Sequence, residues 1–105
     1  MLRELIIDVI HAFVEVLTFE FPETSKNPKG QLGKAILAAT VPLETLDVEQ
    51  LESLMRGLSH AAKGQAGYKD KENVIKCVEM RRSLVKSIER FKSYAMQGEL
   101  NIWLN

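Results

Sequence analysis

The chain has 105 residues, no formal net charge, and 46% hydrophobic and 27% charged residues. This composition is typical of one globular domain, which we expect over residues 1–105, and it argues against a disordered chain. No apolar run approaches the roughly 18 residues of a membrane span, and acidic residues near the start argue against a signal peptide. The single cysteine, Cys77, excludes an internal disulfide and favours a cytoplasmic location.

The charges are unevenly divided between the two halves of the chain. Residues 1–56 hold five basic and nine acidic residues, a balance of −4, and residues 57–105 hold nine basic and five acidic residues, a balance of +4. Either the halves pack together with complementary fields, or the basic half faces an acidic partner such as nucleic acid. We favour the first interpretation, because acidic residues interrupt the basic run.

Apolar residues at helical spacing predict a first helix over residues 2–17. Ile7, Ile10 and Val14 extend its apolar face beyond what a surface helix needs. Such a helix is either central to the fold or shared with a partner. We therefore expect these three residues to bind a protein partner or a second copy of the chain.

Residues 18–46 are predicted to be mainly irregular, because they hold all three prolines and several turn-forming residues. A short helix is expected within this segment from Gln31 to Thr40. It ends before Pro42, because proline disfavours a helical conformation in the residue before it. Asp47 or Thr45 is suited to cap the helix that follows.

The next helix, from Asp47 to Gly64, is strongly amphipathic. Its polar face carries Glu49, Ser53, Arg56, Gly57, His60, Lys63 and Gly64. Helical spacing puts Gly57, Lys63 and Gly64 within one turn of His60.

The string His60-Ala61-Ala62-Lys63-Gly64 resembles the His-x-x-Lys-Gly core of histidine phosphotransfer domains, four-helix bundles that relay phosphate between response-regulator receiver domains. The resemblance implies that His60 carries the phosphoryl group, Lys63 offsets its charge and Gly64 leaves room for the partner. In the competing interpretation the string is a helix end, with cations near the negative end of the helix dipole and Gly64 as the cap. We favour the helix end, because the residues after Gly64 are typical of a turn.

A last long helix is predicted from about Asp70 to Gln97. Its inward-facing stripe comprises Val74, Cys77, Val78, Leu84, Val85, Ile88, Phe91 and Ala95. Arg81 falls within this stripe, so we expect its stem to cover apolar surface and its head to reach water or an acid.

The last helix also carries most of a basic run, with Tyr68 and Tyr94 at its ends. The run comprises Lys69, Lys71, Lys76, Arg81, Arg82, Lys86, Arg90 and Lys92. Basic residues with aromatic neighbours can bind nucleic acid. A solvated face with ion pairs along the helix is the interpretation we favour.

Two further features could carry chemistry: a polar stripe on the first helix, as a metal site, and Cys77, as a nucleophile. Glu4, Asp8, His11 and Glu15 form a polar stripe on the first helix, and Asp8 and His11 are spaced to share a metal ion. A site needs a further ligand from elsewhere, so we favour a solvated stripe and expect no metal and no cofactor. Cys77 is expected to be a small buried apolar residue rather than a nucleophile.

The sequence therefore predicts an all-α fold, a small bundle of three to four helices with an irregular segment at 18–46 and a docked apolar C-terminal tail. We expect a small soluble interaction or adaptor protein without enzymatic activity. The expected partner is a protein or a second copy, and no membrane. The predicted binding residues are Ile7, Ile10, Val14, Ile102, Trp103 and Leu104. Histidine phosphotransfer through His60 and nucleic-acid regulation through the basic helix remain as alternatives.

Overall fold

The computed structural model of the chain describes residues 2–63 and 74–95. These residues contain no β-strand. They form the helices α1 (Leu2–Glu20), α2 (Pro22–Lys26), α3 (Gly30–Ala38), α4 (Val48–Lys63) and α5 (Val74–Ala95), with a 3₁₀ turn at Leu43–Thr45. The fold is a small all-α bundle, as the sequence predicts.

The central element of the bundle is α1. It packs against α2, α3, α4 and α5, and α4 packs also against α3. Because so many elements cover α1, apolar residues are needed around most of its circumference. The interpretation that this helix is central to the fold is therefore confirmed.

The core corrects one predicted binding residue. Ile10 is fully buried, together with Ile6 and Val9, so it supports the fold and presents no surface to a partner. Ile7 and Val14 are partly buried and pack against the same core. The buried cluster comprises Ile6, Val9, Ile10, Phe13, Leu17, Phe21, Leu32, Ile36, Ala39, Leu43, Leu51, Met55, Leu58, Ala61 and Phe91.

Residues 18–46 are more helical than predicted. The first helix continues to Glu20, and α2 begins at Pro22. Proline fits the first turn of a helix, because the N–H that it lacks would have no partner within the helix there. The prolines of this segment therefore mark a helix start as well as helix ends.

The start of α4 is fixed by a capping box. The backbone N–H of Gln50 donates to Asp47 Oδ1 at 2.8 Å, and the backbone N–H of Asp47 donates to Gln50 Oε1 at 3.0 Å. Two N–H groups that the helix itself cannot satisfy are thus paired. Of the two predicted caps, Asp47 is confirmed, whereas the Thr45 hydroxyl donates to the carbonyl oxygen of Pro42. The predicted boundaries at Gly64, Asp70 and Gln97 lie outside the described residues.

Two glycines inside helices differ sharply in their surroundings. A Cβ atom on Gly33 would lie 2.6 Å from the carbonyl carbon of Pro28, whereas a Cβ atom on Gly57 would meet nothing within 4 Å. The backbone around Pro28 can approach α3 this closely because position 33 has no side chain.

We expect opposite effects of alanine at these two positions. Gly33→Ala should lower the free energy of unfolding by about 1–3 kcal/mol, because the Pro28 backbone must move. Gly57→Ala should raise it by roughly 0.5–1 kcal/mol through helix propensity alone. Urea titration followed by circular dichroism measures both changes. A Gly33→Ala variant as stable as the parent would contradict the close packing against Pro28.

Candidate functional site

An ion pair joins the last turn of α1 to α5. Arg81 donates from Nε to Glu20 Oε2 and from Nη2 to Glu20 Oε1, both at 2.7 Å. The Glu20 side chain has no exposed surface, whereas that of Arg81 is 44% exposed. A bidentate pair fixes orientation as well as distance. Arg81 is predicted to reach water or an acid, and the structure shows the acid, in a pair that joins α5 to the last turn of α1.

The predicted first helix ends at residue 17 and therefore leaves out Glu20, the partner of Arg81. One further turn brings Glu20 onto the same face as Phe13, Val16 and Leu17, all of which are buried. The signal was therefore present in the sequence. Glu20 and Arg81 each lie within an apolar helical stripe. Two opposite charges placed in this way stabilise each other when the two stripes pack together.

The same two helices carry most of the charge asymmetry of the chain. One basic and four acidic residues lie in α1, and six basic and two acidic residues lie in α5. Since α1 packs against α5, the acidic and basic helices lie side by side. This arrangement agrees with the interpretation that the two halves of the chain pack with complementary fields.

An open groove of about 400 Å³ runs along the outward side of α5. Val85 is 48% exposed in it, Val78 is half-buried, and Arg82 and Lys86 are exposed. The groove is lined by Val78, Arg81, Arg82, Val85, Lys86 and Glu89. Each of these positions lies three or four residues from another of them, so together they form one stripe along the helix.

The exposure of Val85 shows that its predicted inward orientation is wrong. The buried positions of α5 in this region are Ser87 and Phe91, and Phe91 joins the core. At 100° per residue, Val85 lies about 120° or more around the helix from both of them. An apolar residue at helical spacing therefore remains at the surface.

His60 lies on the outward face of α4 and is exposed, as predicted. Gly57 is also exposed, one turn before it, and has open space where a side chain would project. Packing among the described residues therefore does not require glycine at this position. The side chain of Lys63, and Gly64 altogether, lie outside the described part of the chain.

The remaining candidate residues either form no cluster or lie outside the described part of the chain. The stripe of Glu4, Asp8, His11 and Glu15 is exposed along α1. Within residues 2–63 and 74–95, no group of three or more histidine, cysteine or acidic side chains is placed to hold a metal ion. Ile102, Trp103, Leu104 and the side chain of Cys77 lie outside the described residues.

Comparisons with protein-family models, curated proteins and solved structures found no match to this chain. None of the helices among the described residues is long and apolar enough to cross a membrane. Among the described residues, the groove along α5 and the outward face of α4 around His60 are the surfaces with features that bear on function.

We expect the ion pair to matter strongly for stability. Arg81→Leu should lower the free energy of unfolding by about 2–4 kcal/mol, because the Glu20 carboxylate stays buried without its partner. The double variant Glu20→Leu/Arg81→Leu should regain most of this loss, since apolar residues can replace a buried pair at little cost. Urea unfolding of the parent and the three variants measures the coupling.

The matched control is Arg82→Leu, which removes a neighbouring exposed arginine. It should change the free energy of unfolding by no more than about 0.5 kcal/mol. Single-variant effects of Glu20→Leu and Arg81→Leu that simply add in the double variant would contradict a stabilising role for the pair.

Proposed function

We propose that this chain is a non-enzymatic interaction domain that binds a protein partner through the groove along α5. The observation that carries the proposal is Val85, an apolar side chain that is 48% exposed beside Arg82 and Lys86. The substantial contacts of α5 with the other described elements are those with α1. An apolar centre with a charged rim is the usual anatomy of a protein interface.

This proposal moves the binding surface from α1 to α5. The apolar circumference of α1 is used largely within the chain, where it meets four other helices. The tail residues Ile102, Trp103 and Leu104 remain predicted contributors to binding. A cytoplasmic setting is part of the proposal and is supported by the single cysteine.

Photo-crosslinking from the groove tests the proposal. A benzophenone side chain installed at Val85 should give one defined protein adduct in the cell of origin, because the groove holds the partner against it. The adduct is identified by mass spectrometry, and the crosslinked partner segment should be helical with apolar residues at helical spacing. Val78→Asp in the same chain should abolish the adduct, because it places a charge in the apolar centre of the groove.

The control places the same benzophenone at Lys34, an exposed position on α3. The adduct should be absent there. No adduct from position 85, or an equal yield of the same adduct from position 34, would contradict binding at the α5 groove.

A second candidate function is histidine phosphotransfer, which is favoured by the exposure of His60 and the open space at Gly57. A phosphoryl carrier must be exposed, because donor and acceptor must reach its ring in line. In the transfer, a ring nitrogen forms an N–P bond while the O–P bond of a donor acyl phosphate breaks and the donor carboxylate leaves. A glycine one turn away gives the donor protein room to approach.

Phosphotransfer has its own test. Incubation with phosphorylated receiver domains should give acid-labile phosphate on the parent chain and none on His60→Gln. Gly57→Leu should slow the transfer by about tenfold, roughly 1.4 kcal/mol in the barrier, because the new side chain fills the approach to the ring. His11→Gln removes the other histidine and should transfer normally. No transfer from a broad panel of receivers would remove this candidate.

A further inference from the structure

The charges around the α5 groove indicate the chemistry of its occupant. The groove is lined by three cations and one acid, Glu89. One of the cations, Arg81, is already bound by Glu20. The positive character of the groove therefore comes from Arg82 and Lys86, which lie about 6 Å apart along the helix axis.

The apolar part of the groove has the spacing of a helix-packing ridge. Val78 and Val85 are seven residues apart, which is two turns or about 10 Å. A second helix lying along α5 can place its own apolar residues against such a ridge at the same spacing. The groove thus offers one stripe for apolar contacts and one edge for charged contacts.

Three occupants can be compared on these two features. A second copy related by a two-fold axis would bring Arg82 and Lys86 towards the same cations of its mate, which is unfavourable. A nucleic acid would satisfy the cations. Packing it against Val78 and Val85, however, would remove water from its charged phosphates, which is unfavourable. An amphipathic helix with acidic flanks satisfies both the valines and the cations.

We infer that the α5 groove binds an acidic amphipathic helix of a partner protein. Apolar residues of that helix cover Val78 and Val85, and its carboxylates face Arg82 and Lys86. The groove extends from Val78 to Glu89, about 16 Å along the axis, so three to four turns of the partner are enough. The inference rests on the proposed function of the α5 groove and adds the chemistry of the partner.

Two synthetic peptides test the inference. Each has about 21 residues, or three heptads, with leucine at the a and d positions. One carries glutamate at the e and g positions and the other carries lysine. In fluorescence anisotropy with the full chain, the acidic peptide should bind about tenfold more tightly. Its affinity should fall several-fold when salt rises from about 0.05 to 0.5 M, because salt screens the charged contacts.

Charge reversal locates the binding. Arg82→Glu/Lys86→Glu should lower the affinity for the acidic peptide by about tenfold or more. Lys26→Glu/Lys34→Glu changes the net charge equally at exposed positions of α2 and α3, and the affinity should stay within about twofold. Val85→Asp should abolish binding. Circular dichroism verifies that each variant keeps its helices.

Several results would overturn the inference: equal binding of the two peptides, no binding of either, or tighter binding of a nucleic-acid duplex. A dimer that dissociates in Val85→Asp would also overturn it, since the occupant would then be a second copy. Failure of this inference can be distinguished from failure of the proposed function. If the crosslink from position 85 persists in the Arg82→Glu/Lys86→Glu variant, the groove binds a protein partner, but that partner is not recognised by its acidic residues.

Discussion

The bidentate pair between Glu20 and Arg81 is the constraint on which the position of α5 depends. The Glu20 carboxylate is shielded from water, and burying a charge is costly without a partner that approaches at close range and in good geometry. Meeting that requirement restricts the rotation of α5 and its height along α1, together with the packing of Phe91 into the core. The groove lies on the side of α5 away from the buried residues Ser87 and Phe91, and Arg81 forms part of its wall beside Val78 and Val85.

The two long helices that pack on α1 are held in different ways. In α4, Leu51, Met55 and Leu58 are fully buried, and a capping box fixes the first turn. Over the described side chains of α5, burial is shallower, and Phe91 is its member of the core cluster. The described part of α5 therefore combines its apolar packing on α1 with an ion pair to that helix. A helix held in this way combines a defined orientation with an outer face that is available to other molecules.

The sequence predicts features that depend on local chemistry. The apolar period of α4, its Asp47 cap and the outward position of His60 all follow from residues within a few turns of each other. Features that depend on distant residues were harder to predict. Pro22 is compatible with a helix start or a break, and the surplus apolar residues of α1 fit a core as well as an interface. Val85 is apolar and at helical spacing like the residues of α5 that pack inward, and it is the packing of α5 on α1 that leaves it exposed, so periodicity within α5 cannot decide its orientation.

The central position of α1 has a consequence for how the chain is made. Its partner helix α5 follows more than fifty residues later, so the α1–α5 part of the core forms only after nearly all of the described chain has left the ribosome. Until then, part of an apolar helix is exposed in the nascent chain, where it is prone to bind other apolar segments. Ribosomes that stall between α4 and α5 would release fragments with a helix whose partner is missing.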